Sequence, residues 1–113
     1  MNTTSQKLLN IGMNITRISN WITDDYSSKV ALITIFLDKT TNELQLLTPS
    51  MMPTKLSQEA LRDFKHEYPK IQHRILTSTK PDSYLSEKLA TWGTILTGKS
   101  YLFVNHSTLS HKQ

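Results

Sequence analysis

The sequence predicts an α+β domain: one four-stranded mixed sheet with helices packed on it, in the order α-β-β-α-β-α-β. Three observations carry that expectation. Leu8, Ile11, Ile15, Ile18 and Ile22 recur in alternating steps of three and four, the spacing of one helical stripe. Val30 to Leu37 is a near-continuous apolar and β-branched run, closed by the turn-forming stretch Asp38-Lys39-Thr40-Thr41-Asn42. Farther on, each of two helix-spaced segments leads into a short run with strand character, as parallel crossovers require.

In chain order, residues 4–27 read as the first helix. Asn10, Gly12 and Asn14 are poor helix formers, but periodicity over fifteen residues outweighs propensity. Residues 30–37 read as a strand buried on both faces, and Glu43 to Thr48, where Leu44 and Leu46 alternate with Gln45, as its hairpin partner. Pro49 to Pro53 is a punctuated connection. Ser57 is then the expected N-cap of the second helix, with Leu56 and Leu61 as a hydrophobic staple; Leu61, Phe64 and Tyr68 form its buried face and Pro69 its end. Residues 71–79 alternate as a third strand. Pro81 and Asp82 open a third helix on the stripe Leu85, Leu89, Trp92 and Leu96, and Tyr101 to Asn105 forms the last strand, followed by a loose tail from His106 to Gln113.

A length of 113 residues, 37% hydrophobic, with 3 Gly and 4 Pro, fits one globular domain, and no apolar run is long enough to span a membrane. The absence of cysteine excludes disulfides, thiolate metal sites and cysteine nucleophiles. With no signal-like pattern at the N-terminus, the expected compartment is the cytoplasm.

Gly93, four residues, then Gly98-Lys99-Ser100 matches the phosphate-loop pattern. A phosphate loop follows a strand and opens a helix; here a helical stripe precedes it and a strand-like run follows. Gly98 is therefore expected as a left-handed C-cap, with Lys99 beside the last carbonyls. The four histidines show no spacing that fixes metal ligands, so no metal and no cofactor are expected. The carboxylates fare no better. Asp38 and Glu43 are the one pair a hairpin would bring together, and turn and strand-end roles account for both.

What remains is binding. A net charge of +4 spread as isolated cations gives weak general attraction to polyanions. Its densest region holds Arg62, Lys65, Lys70 and Arg74, with His66 and His73 between them, and is the candidate nucleic-acid contact, although Glu59, Asp63 and Glu67 interleave. The candidate protein interface combines the stripe Leu8, Ile11, Ile15, Ile18 and Ile22 with Met51 and Met52, soft side chains held between prolines. The expected function is that of a small regulatory or adaptor protein acting through protein contacts, with self-association into a homodimer as one form. A nucleic-acid-binding module is the alternative, and an enzyme ranks last.

Overall fold

The computed structural model of the chain describes residues 3–78 and 82–111, and the side chains of that set as far as Tyr101. It contains four helices: α1 (Thr3–Asp24), α2 (Tyr26–Gln45), α3 (Lys55–Thr77) and α4 (Ser83–His111), with one 3-10 turn at Pro49–Met51. No strand occurs among the described residues, so the α+β expectation and its four-stranded sheet are corrected to an all-helical architecture.

Helix α1 forms as its stripe foretells, and Leu8, Ile11, Ile15, Ile18 and Ile22 are buried. A single residue, Asp25, separates it from α2, so the two helices fold back on each other as a tight hairpin. The two expected strands at 30–37 and 43–48 are one helix. Ile33, Leu37, Thr40 and Leu44 are its buried positions, in steps of four, three and four that run straight through the supposed turn at 38–42. β-Branched residues disfavour helix only weakly, and a buried stripe outweighs that preference. The threonines are accommodated locally: Thr34, Thr40 and Thr41 donate their hydroxyls to the carbonyls of Val30, Phe36 and Leu37 at 3.0, 2.8 and 2.9 Å.

Helix α3 starts at a reciprocal capping box. The Ser57 N–H donates to Thr54 Oγ1 and the Thr54 N–H donates to Ser57 Oγ, both at 3.0 Å. Thr54 is thus the N-cap and Ser57 the third residue of the helix, while Leu56 is exposed and cannot staple onto buried Leu61. Pro69 does not end this helix, and the expected strand 71–79 is its continuation to Thr77. The magnitudes explain why. An interior proline costs about 3 kcal/mol, whereas burying Ile71 and Ile75 returns about 1.5–3 kcal/mol each. Both keep the three-four spacing begun by Leu61, Phe64 and Tyr68.

At the start of α4 the Asp82 carboxylate accepts the N–H groups of Tyr84 and Leu85 at 3.0 and 3.3 Å. Pro81, expected to share that start, lies outside the described residues, as does Thr79. The helix passes through Gly98, erasing both the expected C-cap and the strand 101–105. No glycine has a positive φ. The helical backbone reaches His111, across most of the segment expected as a tail; Lys112 and Gln113 lie outside the described residues.

Cross-contacts give the topology. Ser5 Oγ donates to Ser100 O at 3.2 Å and Ser19 Oγ to Ser86 O at 2.7 Å, so α1 and α4 run antiparallel. Tyr68 Oη on α3 donates to Leu37 O on α2 at 2.7 Å, and Phe64 packs on Trp92 of α4 with ring centroids 5.3 Å apart. The result is an elongated bundle of 53 × 22 × 21 Å around one hydrophobic cluster fed by all four helices.

The α1–α4 seam has its own pattern. Ser5, Gly12 and Ser19 recur every seven residues on α1, as do Ser86, Gly93 and Ser100 on α4, and all are buried. The two series meet antiparallel, serine on serine at the ends and glycine on glycine in the middle. A Cβ added at Gly93 would lie 2.2 Å from Thr16 Oγ1 and 3.1 Å from Gly12 O. A side chain there would have to displace the Thr16 hydroxyl and press on the α1 backbone at Gly12.

Candidate interaction surfaces

The residues of the expected protein interface separate. The α1 stripe lines the bundle's own core, with Ile11 and Ile15 fully buried, and packs on helices in place of the expected sheet. Met51 is 46% exposed in the 3-10 turn, but Met52 is only 3% exposed and belongs to the core.

The apolar surface lies elsewhere, on the outer side of α2. Its inner face is packed, with Trp21 of α1 set edge-on to Phe36 at 5.0 Å. Outside, Val30, Leu32 and Ile35 are 44%, 38% and 48% exposed. Leu32 and Ile35 are three residues apart and with exposed Ala31 form one ridge, because positions three and four apart share a helix face. The run that reads as a strand buried on both faces is a helix with apolar residues on both sides and only one side covered. Extending the three-four spacing from Leu37 through Thr40 to Leu44 would have found it.

Between α1 and α2 lies a groove of about 510 Å³. Asn10, Asn14 and Arg17 line it from α1, and Phe36, Lys39 and Glu43 from α2, with Asn42 and Leu46 beside them. Helical spacing places Asn10, Asn14 and Arg17 on one face of α1, opposite Lys39 and Glu43, which are one turn apart on α2. The Arg17 guanidinium and the Lys39 ammonium sit 5.8 and 4.9 Å from the centre of the Phe36 ring. Arg17 also donates to Asn14 Oδ1 at 3.3 Å. Glu43 Oε2 is buried and has no hydrogen-bond partner. Leaving such an acceptor unsatisfied costs about 1–3 kcal/mol, more for a charged group.

The cations of the expected nucleic-acid site do come together, in part. Because α3 is unbroken at Pro69, Arg62, His66, Lys70 and His73 follow one another in steps of four, four and three along its exposed face. Two expected members are engaged elsewhere. Arg74 pairs with Asp82 at 3.2 Å and lies 5.3 Å over the Tyr84 ring. Lys65 donates to the Leu47 carbonyl. Tyr68 is buried, and burial pushes its hydroxyl up to about 12, so it is no stacking platform. Glu67, which interleaves with the cations in sequence, turns to α4, where Lys88 binds it and Trp92 Nε1 donates to it at 2.6 Å. The Lys88 hydrogen bond holds its carboxyl below the usual range against an opposing desolvation.

Comparison with protein-family profiles, curated proteins and solved structures finds no match to this chain. The phosphate-loop pattern carries no site: Gly93 to Ser100 is all helix, its N–H groups are spent within α4, and Ser100 Oγ donates back to Thr97 O at 2.6 Å. Among the described residues no three His, Asp or Glu side chains converge to hold a metal ion, and no helix is long and apolar enough to cross a membrane.

Proposed function

We propose that this protein is a helical adaptor that works through protein contacts, and that its docking element is the outer ridge of α2. The single observation behind this is the exposure of Leu32 and Ile35, with Ala31, on a helix whose opposite side is packed into the core. Surface apolar residues scattered singly need no explanation, but adjacent ones on one ridge do. A second copy of the chain is the simplest partner, and a different protein presenting an apolar helix face is the other.

Sedimentation of the wild type and of a Leu32→Lys, Ile35→Lys variant across a micromolar concentration series tests the reading. A dimer that the double substitution converts to monomer supports self-association. A wild-type monomer that captures a defined partner through this ridge, with capture lost in the variant, supports an adaptor for another protein. A monomer whose partners bind wild type and variant alike would overturn it. Stability should change by less than about 0.5 kcal/mol, because neither side chain belongs to the core.

The exposed basic face of α3 favours a second reading, a nucleic-acid contact, since the unbroken helix sets the cations Arg62 and Lys70 in line with His66 and His73 and turns Glu67 away. Oligonucleotide binding over a salt series measures it. The slope should be shallow, near the two to three phosphates so short a stripe can neutralise, and should fall in an Arg62→Gln, Lys70→Gln variant. A slope indistinguishable from zero removes this reading.

A further inference from the structure

We propose that the groove between α1 and α2 is a binding site for a short peptide with free termini, two to three residues long. Its carboxylate would sit on Arg17 and Lys39 and its ammonium on Glu43. The groove has unspent charge of both signs. The ion pairs among the described residues are Arg74 with Asp82 and Lys88 with Glu67, so Arg17 and Lys39 have no carboxylate partner and Glu43 has no cation. Glu43 Oε2 lacks any hydrogen-bond partner although Lys39 is one helical turn away on the same groove wall. A ligand with a cation at one end and an anion at the other satisfies both without bringing the two side chains together.

Length selects among zwitterions. Lys39 and Glu43 are separated by four residues, about 6 Å along the axis, and Arg17 lies beyond Lys39 toward the hairpin. Two extended residues span about 7 Å and three about 10 Å. The Arg17 and Lys39 head groups both sit over Phe36, seven residues or about 10 Å along the axis from Glu43, beyond the reach of a free amino acid even with a hydrogen bond of about 3 Å at each end. Between the ends, the amides of Asn10 and Asn42 suit a peptide N–H and carbonyl, and Phe36 and Leu46 offer apolar surface to its side chains. The volume, about 510 Å³, lies within the usual range of ligand sites. This site is separate from the α2 ridge, so either can fail without the other.

The experiment is a titration of the full chain with leucyl-leucine, followed by amide NMR shifts and calorimetry. The same dipeptide is then tested with its N-terminus acetylated and with its C-terminus amidated. Expected are saturable binding at millimolar or lower concentration, shifts in the side-chain amides of Asn10 and Asn42, and at least tenfold weaker binding of each blocked form. Glu43→Gln should remove the preference for the free N-terminus and keep that for the carboxylate, and Arg17→Gln with Lys39→Gln should do the reverse. No saturation, shifts confined to other surfaces, or equal binding of blocked and free forms would each overturn the proposal. The wild-type series decides it even where a variant fails to fold.

Discussion

The three glycines of this chain fall into two kinds, and their neighbours decide which. Gly12 and Gly93 face each other across the α1–α4 seam, where an added methyl group meets the backbone of the opposite helix, while Gly98 has nothing within 4 Å of such a methyl. Alanine is the better helix former by about 1 kcal/mol. At Gly98 that gain is uncompensated, so Gly98→Ala should stabilise the protein by about 0.5–1 kcal/mol. At Gly93 overpacking reverses the sign, and Gly93→Ala should destabilise it by a net of about 1–3 kcal/mol. Urea unfolding followed by circular dichroism reads both. A stabilised Gly93→Ala would mean that the helices separate there at little cost. The contrast also bears on the phosphate-loop pattern, since its second glycine should be replaceable with profit.

At the scale of elements, what the sequence disclosed depended on the window over which its spacing was followed. The core positions of α1 repeat over fifteen residues without interruption and are plain. Those of α2 and α3 repeat equally well, but each is crossed by residues that signal breaks locally, Asp38 to Asn42 in one and Pro69 in the other. Eight-residue windows of Val, Ile and Leu are ambiguous between strand and helix, and turn formers beside them tip the reading. The seven-residue repeat of small residues was also visible, but serine and glycine count against helix when scored singly and for close packing when scored as a series. The α1–α2 groove was not legible at all, because its second wall is a single helix where two strands of a hairpin were expected. Since Pro69 is exposed and stays helical only on the strength of Ile71 and Ile75, Pro69→Ala should raise stability by about 1–3 kcal/mol. Thermal unfolding measures this, and an unchanged midpoint would show that the helix bends to accommodate the ring at no cost.

For the whole molecule, α3 is secured to α4 partly by charge. The folded protein holds the Glu67 carboxyl below its ordinary value through Lys88 first and Trp92 second. A depressed carboxyl contributes stability that is complete above its unfolded value, about pH 4.5, and is lost as the pH falls through the folded one. The melting temperature should therefore drop below about pH 4.5 in the wild type, and this part of the drop should vanish in Glu67→Gln. Identical acid profiles for the two proteins would assign the loss to other carboxylates. The α1–α4 seam also has a consequence in time. It joins Ser5 to Ser100, separated by 95 positions, so α1 waits for the synthesis of α4 before its serine and glycine face is covered. Closing so long a loop is entropically costly and slow compared with forming the α1–α2 hairpin. During that interval the nascent chain carries an isoleucine stripe with α2 as its one shelter, so the half-made protein exposes apolar surface that the finished bundle hides.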